Sequence, residues 1–461
     1  MGWLDPSTAA HMRGEKAVAN FDEDSITLAV AASSKAMEPL ARSEIDGLYF
    51  SSTSLPYKER LNAAIISAAL GLADGIRTAD FTGGLKAGTT AVLSGLEAVS
   101  AGSLARAIVC ASDCRLGKPA TAEEMVFGDA AAALVIGKEK VLAEYKGFYS
   151  MTHDFVDHFR GEFAKFDRKW EDRWIKDMGL VPMILGAIKG LMNKYGLEIS
   201  DFSKVIYDCP DIGSRQKVNK MLGISSDTEQ HNFQMEIGHS GVAQSLVMLC
   251  AALDKSKPGD KILVVSFGSG CDALYFEVTG EAARQQGAGV MEMQLNNKAE
   301  LDHYEKYLVW RDILPVNTGL RSEEDLWTRP SVLWRHRKEF MGLWGTRCKK
   351  CGTPQFPAQR VCVNPDCGAI DEMEDYLFSD KTGSIVSYTG DMLAASSNPP
   401  TAYGAIEFEG GGKNYFEFTD CQLSDLAVGT KVKMSFRRKY KDKKRDVSGY
   451  FWKAIPVKEE K

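Results

Sequence analysis

The sequence predicts a layered α/β protein built as two similar halves, followed by a metal-binding module and a small β-barrel. Three observations carry this. Strand-like and helix-like stretches alternate between residues 15 and 145 and again from Phe202 to Glu281, as in α/β layered folds. The order of elbow, small-residue helix, turn, strand and polar loop in the first stretch recurs in the second, which points to an internal duplication. Cys348, Cys351, Cys362 and Cys367 then stand as C-x2-C and C-x4-C ahead of a run of alternating strands.

Taken in order, Asp24 to Met37 has helical spacing, Ile45 to Ser51 reads as a strand, and Leu61 to Leu72 is an alanine-rich helix. Ala79 to Val92 reads as a short strand, a Gly83-Gly84 turn and the start of a helix that continues to Ala101. Glycines there let the backbone turn sharply and approach a neighbour closely. The strand Ala107 to Ser112 follows, then a small-residue turn and strand over Gly128 to Gly137. Residues Tyr149 to Trp174 interleave His153, Arg160 and Arg168 with Phe155, Phe163, Trp170 and Trp174, and read either as a cap over a binding site or as an aromatic packing element with a charged face. A long helix, Val181 to Tyr195, comes next. In the second half, Ile237-Gly-His-Ser-Gly opens a helix ending near Lys255, and Lys261 to Gly270 is a strand ending in glycines.

Residues 283–335 read as a linker with a polar helix over Ala299 to Leu314, 336–375 as a zinc ribbon and 376–461 as a β-barrel, leaving 1–282 as the duplicated α/β domain. Two cysteine pairs separated by ten residues suit tetrahedral zinc. Four thiolates close the coordination sphere, so the expected role of zinc is structural. The barrel is expected over strands such as Ser384 to Thr389, Tyr403 to Phe408 and Lys431 to Phe436.

The chain has 461 residues, 44% of them hydrophobic and 26% charged, with a formal net charge of −6. That balance is ordinary for a soluble globular protein and disfavours broad nucleic-acid binding. No apolar run reaches the length of a membrane span, and Met1 to Gly14 lacks the basic-then-apolar order of a secretory signal, so a cytoplasmic location is expected. The basic run Arg437 to Lys441 with Lys443, Lys444 and Arg445 reads as a solvated hairpin or as a phosphate grip. The six cysteines outside the ribbon sit mostly in apolar runs and read as buried free thiols.

The stretch Ala79-Asp-Phe-Thr-Gly-Gly-Leu85-Lys-Ala-Gly-Thr-Thr-Ala-Val92 resembles the nucleophile elbow of the thiolase superfamily, in particular archaeal-type hydroxymethylglutaryl-CoA synthases. The family pattern there is approximately A-D-x-x-x-A-C-K-A-G-T, which puts Leu85 where the nucleophilic cysteine stands. The resemblance places the family's glutamate on Thr53, in Ser52-Thr-Ser-Leu-Pro-Tyr57, and its histidine on Asp208, ahead of Cys209-Pro210. It implies a duplicated five-layer fold with the site where the halves meet, and a homodimer paired across the sheet beside the elbow. It also implies a strand and loop ahead of Trp3 to Asp24 that this sequence lacks. Arg329 to Pro357, with Phe340, Gly342, Cys348 and Cys351, resembles the zinc-ribbon/OB-fold proteins that accompany acyl-CoA thiolases and synthases.

Leu85 excludes covalent acyl transfer, which needs a thiolate or an equivalent nucleophile. What remains is aldol or retro-aldol chemistry on a 3-hydroxyacyl-CoA, which needs only a base, an oxyanion hole and a proton relay. Asp208 and His239 are the expected catalytic pair, His239 standing where the synthases carry asparagine. Gly84, Leu85, Thr53, Tyr57, His153, Ser266, Gly268, Ser269 and Gly270 are the expected substrate-binding residues, with the elbow amides and the glycine turn as oxyanion donors. The alternative is a catalytically silent subunit that scaffolds an active thiolase-like partner chain.

Overall fold

The computed structural model describes residues 14–282, 289–316, 328–394 and 396–457. The readings made over residues 1–13, and the linker over 283–288 and 317–327, lie outside the described residues. The chain divides into two compact units, one of residues 1–19, 32–63 and 74–299, the other of 20–31, 64–73 and 300–461. Among the described residues no helix is long and apolar enough to cross a membrane.

Among the described residues, the first unit holds two four-stranded sheets and a two-stranded ribbon. Its elements run α1 (Ser25–Ala36, shared with the second unit), β1 (Gly47–Ser51), α2 (Asn62–Ala69, likewise shared), β2 (Arg77–Phe81), α3 (Ala87–Ser100), β3 (Ala107–Asp113), α4 (Ala122–Val126) and β4 (Ala130–Ile136). There follow β5 (Ala143–Thr152), β6 (His158–Phe159), β7 (Arg168–Lys169), α5 (Asp172–Trp174), α6 (Val181–Tyr195), β8 (Lys204–Tyr207), α7 (Ile212–Leu222), α8 (Gln234–Ile237), α9 (Gln244–Leu253), β9 (Lys261–Phe267) and β10 (Gly270–Val278). The first sheet has the order β2-β1-β3-β4 and the second β5-β10-β9-β8. β1 runs parallel to β3 and β4 returns antiparallel. β8, β9 and β10 repeat that pattern. The duplication read from the sequence is therefore a repeat of sheet topology. β5 pairs antiparallel along the outer edge of β10, and among the described residues no strand takes the matching place beside β4.

Small residues on α3 and apolar residues on α9 explain why these helices lie between the sheets. Ala87, Ala91, Val92, Val242, Leu246 and Leu249 share one core with Val109, Ala111, Val264 and Leu274. A side chain at Gly88 would strike the Val242 carbonyl at 2.4 Å, so glycine permits that approach. α6 covers the other face of the second sheet through Ile184, Ile188 and Leu191, which pack with Val205, Leu263 and Ala273. It begins with a proline in its first turn and stops at Gly196, whose φ of 66° ends the helix.

The stretch between β5 and α6 is an excursion carrying the two-stranded β6–β7 ribbon and a single turn of π-helix, Ile175–Leu180. Its aromatics divide by face: Phe155 stacks on Trp174 at 4.1 Å between ring centroids, while Phe163 and Trp170 are exposed.

The second unit contains the ribbon, β11 (Trp344–Cys348), β12 (Pro354–Gln355) and β13 (Met373–Leu377), and a five-stranded sheet of β14 (Gly383–Asp391), β15 (Thr401–Phe408), β16 (Lys413–Glu417), β17 (Lys431–Asp442) and β18 (Val447–Pro456). The sheet order is β16-β15-β14-β17-β18, and a single parallel bridge, Phe418 to Ala454, links its two ends. The expected closed barrel is thus not completed by a strand ladder. The linker helix is shorter than expected, Tyr304–Trp310 instead of Ala299 to Leu314, and a separate helix covers Val290–Asn296. The basic run is largely neutralised inside its own unit. Arg437 is buried against Asp22, Glu23 and Asp420, Lys439 pairs with Glu417, Lys441 and Lys443 share Asp312, and Arg445 pairs with Asp442.

Candidate functional site

The elbow runs from β2 into α3 and presents Leu85, which is buried. Lys86 and the first turn of α3 fasten it to the second sheet. Lys86 Nζ lies 3.0 Å from Asp272 Oδ1, and the Thr89 and Thr90 hydroxyls each donate to Asp272 Oδ2 at 3.1 Å. Gly268 comes down directly on the elbow: a side chain there would meet the amide nitrogens of Leu85 and Lys86 at 2.7 Å. Those two N–H groups donate to no described residue. The Gly268 N–H is engaged with the Gly270 carbonyl at 3.0 Å, which removes it from the expected oxyanion donors and leaves the elbow pair among those available.

A second group is formed by Asp208, at the end of β8, and His239, in the turn before α9. His239 Nε2 lies 2.7 Å from Asp208 Oδ1, with both residues buried. Asp208 Oδ2 accepts from no described residue. The pair lines a small cleft with Asn232, Gln234 and Gln244. The His239 backbone is held by Phe127 and Gly128, its N–H donating to the Val126 carbonyl at 2.7 Å. Burial pushes the neighbouring Cys209 thiol up to about 12. Burial also raises Cys271 well above the ordinary thiol range, with Asp272 and Asp208 adding to the rise and Lys86 opposing it. Neither thiol is a ready nucleophile.

Thr53 is held by Asp113 at the end of β3. Asp113 accepts from the Thr53 N–H and hydroxyl, each at 2.8 Å, from Ser52 and Ser54, and from the Val242 N–H at 3.0 Å. Of the other expected residues, the backbone N–H of exposed His153 donates to the Ser269 carbonyl at 3.1 Å, which places it beside the glycine turn. Ser266 is buried in β9 opposite Asp272. Tyr57 faces Arg60, whose guanidinium lies 4.6 Å from its ring centroid.

Sequence reasoning missed Asp113, Arg115 and Asp167. Arg115 Nε lies 2.8 Å from Asp167 Oδ2, and Asp167 Oδ1 lies 2.7 Å from Arg160, which in turn donates to the Thr53 carbonyl. An aspartate followed by an arginine at the end of an apolar strand, Asp113-Cys-Arg115, was the available signal.

In the second unit, the sulfurs of Cys348, Cys351, Cys362 and Cys367 all lie within 4.8 Å of one another. Two separations are 3.8 and 3.5 Å. Sulfurs about 2.3 Å from a central zinc form a tetrahedron with edges of about 3.8 Å, so the four thiols fit the ion. Gly352 and Gly368, at φ 77° and 57°, make the turns after each pair.

Over 309 residues the chain is 31% identical to the hydroxymethylglutaryl-CoA synthase of Pyrobaculum arsenaticum, covering 66% of this chain and 88% of that protein. The chain belongs to the hydroxymethylglutaryl-CoA synthase family of the thiolase superfamily. The synthase of Methanopyrus kandleri is 34% identical over 284 residues, 60% of this chain and 80% of the relative. Among solved structures, MvaS in complex with 3-hydroxy-3-methylglutaryl coenzyme A superposes with a TM-score of 0.59 at 21% identity, over 68% of this chain and 86% of the other. The 3-oxoacyl-[acyl-carrier-protein] synthase III of Aquifex aeolicus does so at 0.53 and 18%, over 59% and 91%. Residues 342–371 match the family described as "ChsH2, rubredoxin-like zinc ribbon domain". A synthase-family domain and a four-cysteine metal-binding ribbon therefore share one chain.

Proposed function

We propose that this synthase-family domain makes or breaks a carbon–carbon bond in a 3-hydroxyacyl-CoA by aldol or retro-aldol chemistry, without an acyl-enzyme. The observation that carries the reading is the 2.7 Å Asp208–His239 pair, whose Asp208 Oδ2 accepts from no described residue, in a chain whose elbow side chain is an inert leucine. In the cleavage direction Asp208 Oδ2 takes the proton of the 3-hydroxyl and the bond between C2 and C3 breaks. Its electron pair passes into the thioester as an enolate, and C2 is reprotonated to give a shorter acyl-CoA and an aldehyde or ketone. The Leu85 and Lys86 N–H groups are the donors for the enolate oxygen.

The expected site residues, Asp208 and His239 as the reacting pair with Gly84, Leu85, Thr53, Tyr57, His153, Ser266, Gly268, Ser269 and Gly270 around the thioester, belong to this proposal. So do a homodimer formed across the free edge of β2, a cytoplasmic location, zinc as a structural ion and the domain limits 1–282, 283–335, 336–375 and 376–461. The five-stranded sheet is proposed as a partly open OB-type barrel, a form in which the ends of the sheet meet incompletely.

A second reading, a silent domain that shapes a complex with an active thiolase-like chain, is favoured by Thr53 and Leu85. Leu85 has no reactive group, and Thr53 has no carboxyl and its hydroxyl is tied to Asp113. The deciding experiment is calorimetric titration of the zinc-loaded chain with CoA, 3-hydroxybutyryl-CoA and 3-hydroxy-3-methylglutaryl-CoA, followed by product analysis. The aldol reading expects a carbonyl product, lost in Asp208→Asn while binding persists. Binding with no turnover supports the silent domain, and turnover unchanged in both Asp208→Asn and His239→Ala overturns the assignment of the pair.

A further inference from the structure

Both ring nitrogens of His239 are engaged, and by partners of opposite charge. Nε2 faces the Asp208 carboxylate at 2.7 Å, and Nδ1 faces a guanidinium nitrogen of Arg115 at 3.4 Å. We infer that Arg115 is a positioning residue: its cation beside Nδ1 holds the imidazole as the Nε2–H tautomer, so that His239 donates to Asp208 Oδ1 and leaves Asp208 Oδ2 as the proton-accepting atom. The inference rests on the proposed role of the Asp208–His239 pair only for its consequence in turnover. The tautomer itself follows from the local geometry.

A guanidinium carries donors and no acceptor, so a nitrogen facing it is favoured as a lone pair and disfavoured as N–H. At 3.4 Å the contact is long for a hydrogen bond, yet the charge acts at that range, and burial weakens its screening. Arg115 is held where it stands. It is 4% exposed, its guanidinium lies 3.9 Å from the Phe127 ring centroid, and Asp167, 8% exposed, fixes Nε from the far side. Phe127 pairs with the His239 backbone, so one short segment sets both the ring and the cation beside it. Asp167 passes the constraint on to Arg160 and the Thr53 carbonyl, and so ties the excursion between β5 and α6 to the same histidine.

The tautomer is also the one that serves Asp208. With hydrogen on Nε2, the histidine stabilises the carboxylate and points its second oxygen at the cleft. With hydrogen on Nδ1, Nε2 and Asp208 Oδ1 would be two acceptors 2.7 Å apart, and the carboxyl would have to bind a proton to relieve them.

The test is nitrogen-15 NMR of the full chain labelled at histidine, with the His239 signals identified by their loss in His239→Asn. The wild-type spectrum is expected to show a lone Nε2–H tautomer, with Nδ1 unprotonated. Arg115→Met is expected to shift or split the Nδ1 signal and Arg115→Lys to restore it in part. On any of the three probes named above that turns over, kcat per mole of folded protein, the folded fraction being read from the same spectra, should fall about tenfold or more in Arg115→Met, with KM within about twofold. An Nδ1–H tautomer in the wild type overturns the inference, and that readout stands even if Arg115→Met fails to fold. A spectrum unchanged in folded Arg115→Met overturns it as well. Absence of turnover on every probe, with the expected spectra, would sink the proposed reaction and leave the tautomer assignment intact.

Discussion

Asp113 accepts hydrogen bonds from both the backbone N–H and the hydroxyl of Thr53, each at 2.8 Å. The loop that carries Thr53 is closed onto a buried carboxylate. Ser52, Ser54 and the Val242 N–H converge on the same two oxygens. Replacing Asp113 with alanine strands these donors, and buried donors without acceptors cost about 1–3 kcal/mol each. Asp113→Ala is therefore expected to lower unfolding free energy by at least about 3 kcal/mol in denaturant titration, with Asp113→Asn intermediate. A loss under about 1 kcal/mol would mean that the loop repacks around water and that Asp113 is not its anchor.

A second prediction concerns acid. Glu23 is half-buried beside Arg437, Asp22 and Asp420, and its removal from water pushes its carboxyl from the ordinary 4.5 up to about 7, although Arg437 pulls the other way. A folded pKa above the unfolded one means that the folded state holds the proton more tightly. The stability so contributed is complete below about pH 4.5 and is lost as pH rises to about 7. Glu23→Gln removes that titration. Between these limits the wild type should lose stability relative to the variant by on the order of 2 kcal/mol, read as diverging melting temperatures across the window. Parallel curves would place the titration elsewhere in the cluster.

How much of this was legible beforehand depended on range. β3 and β9 are apolar runs, and the Gly83-Gly84 elbow announces itself in neighbouring residues, so these elements were readable locally. The pairing of Asp208 with His239 was reachable because the resemblance supplied two positions to compare. Arg115, Asp167 and Arg160 were not, because the meaning of each charge depends on a partner brought near only by the fold. The same holds for Asn20 to Asp24, whose carboxylates meet Arg437 and Lys453 at the other end of the chain, within the second unit. The interleaved aromatics of residues 149–174 could not be sorted by face either, since the excursion there has no steady period for a pattern to follow.

The ribbon gives a third prediction. Without an ion, four sulfurs within 4.8 Å have little else to hold them together, since the buried cluster around them is only Cys348, Cys362 and Ala369. The purified chain should contain one zinc per molecule, and a strong chelator should open residues 342–371 to protease while the first unit stays resistant. Chelator that extracts zinc but leaves the ribbon protected would show that hydrogen bonds alone maintain it.

Leu85 allows the sharpest question about the elbow. Its amide and that of Lys86 donate to no described residue at the start of α3, where the helix N-terminus favours a thiolate, and Lys86 adds a cation already neutralised by Asp272. If the elbow has kept its architecture and lost only its nucleophile, Leu85→Cys should take up a single acetyl group from acetyl-CoA, seen as a mass increment on the peptide containing residue 85, and the wild type should take up none. Turnover to hydroxymethylglutaryl-CoA should still fail, because the resemblance puts Thr53 and Asp208 where the family carries glutamate and histidine, and neither supplies that chemistry. An unacetylated variant that still binds CoA would mean that Gly268, pressed against the two amides, leaves no room for a tetrahedral intermediate. In that case the enolate of the proposed aldol step would need donors other than the elbow.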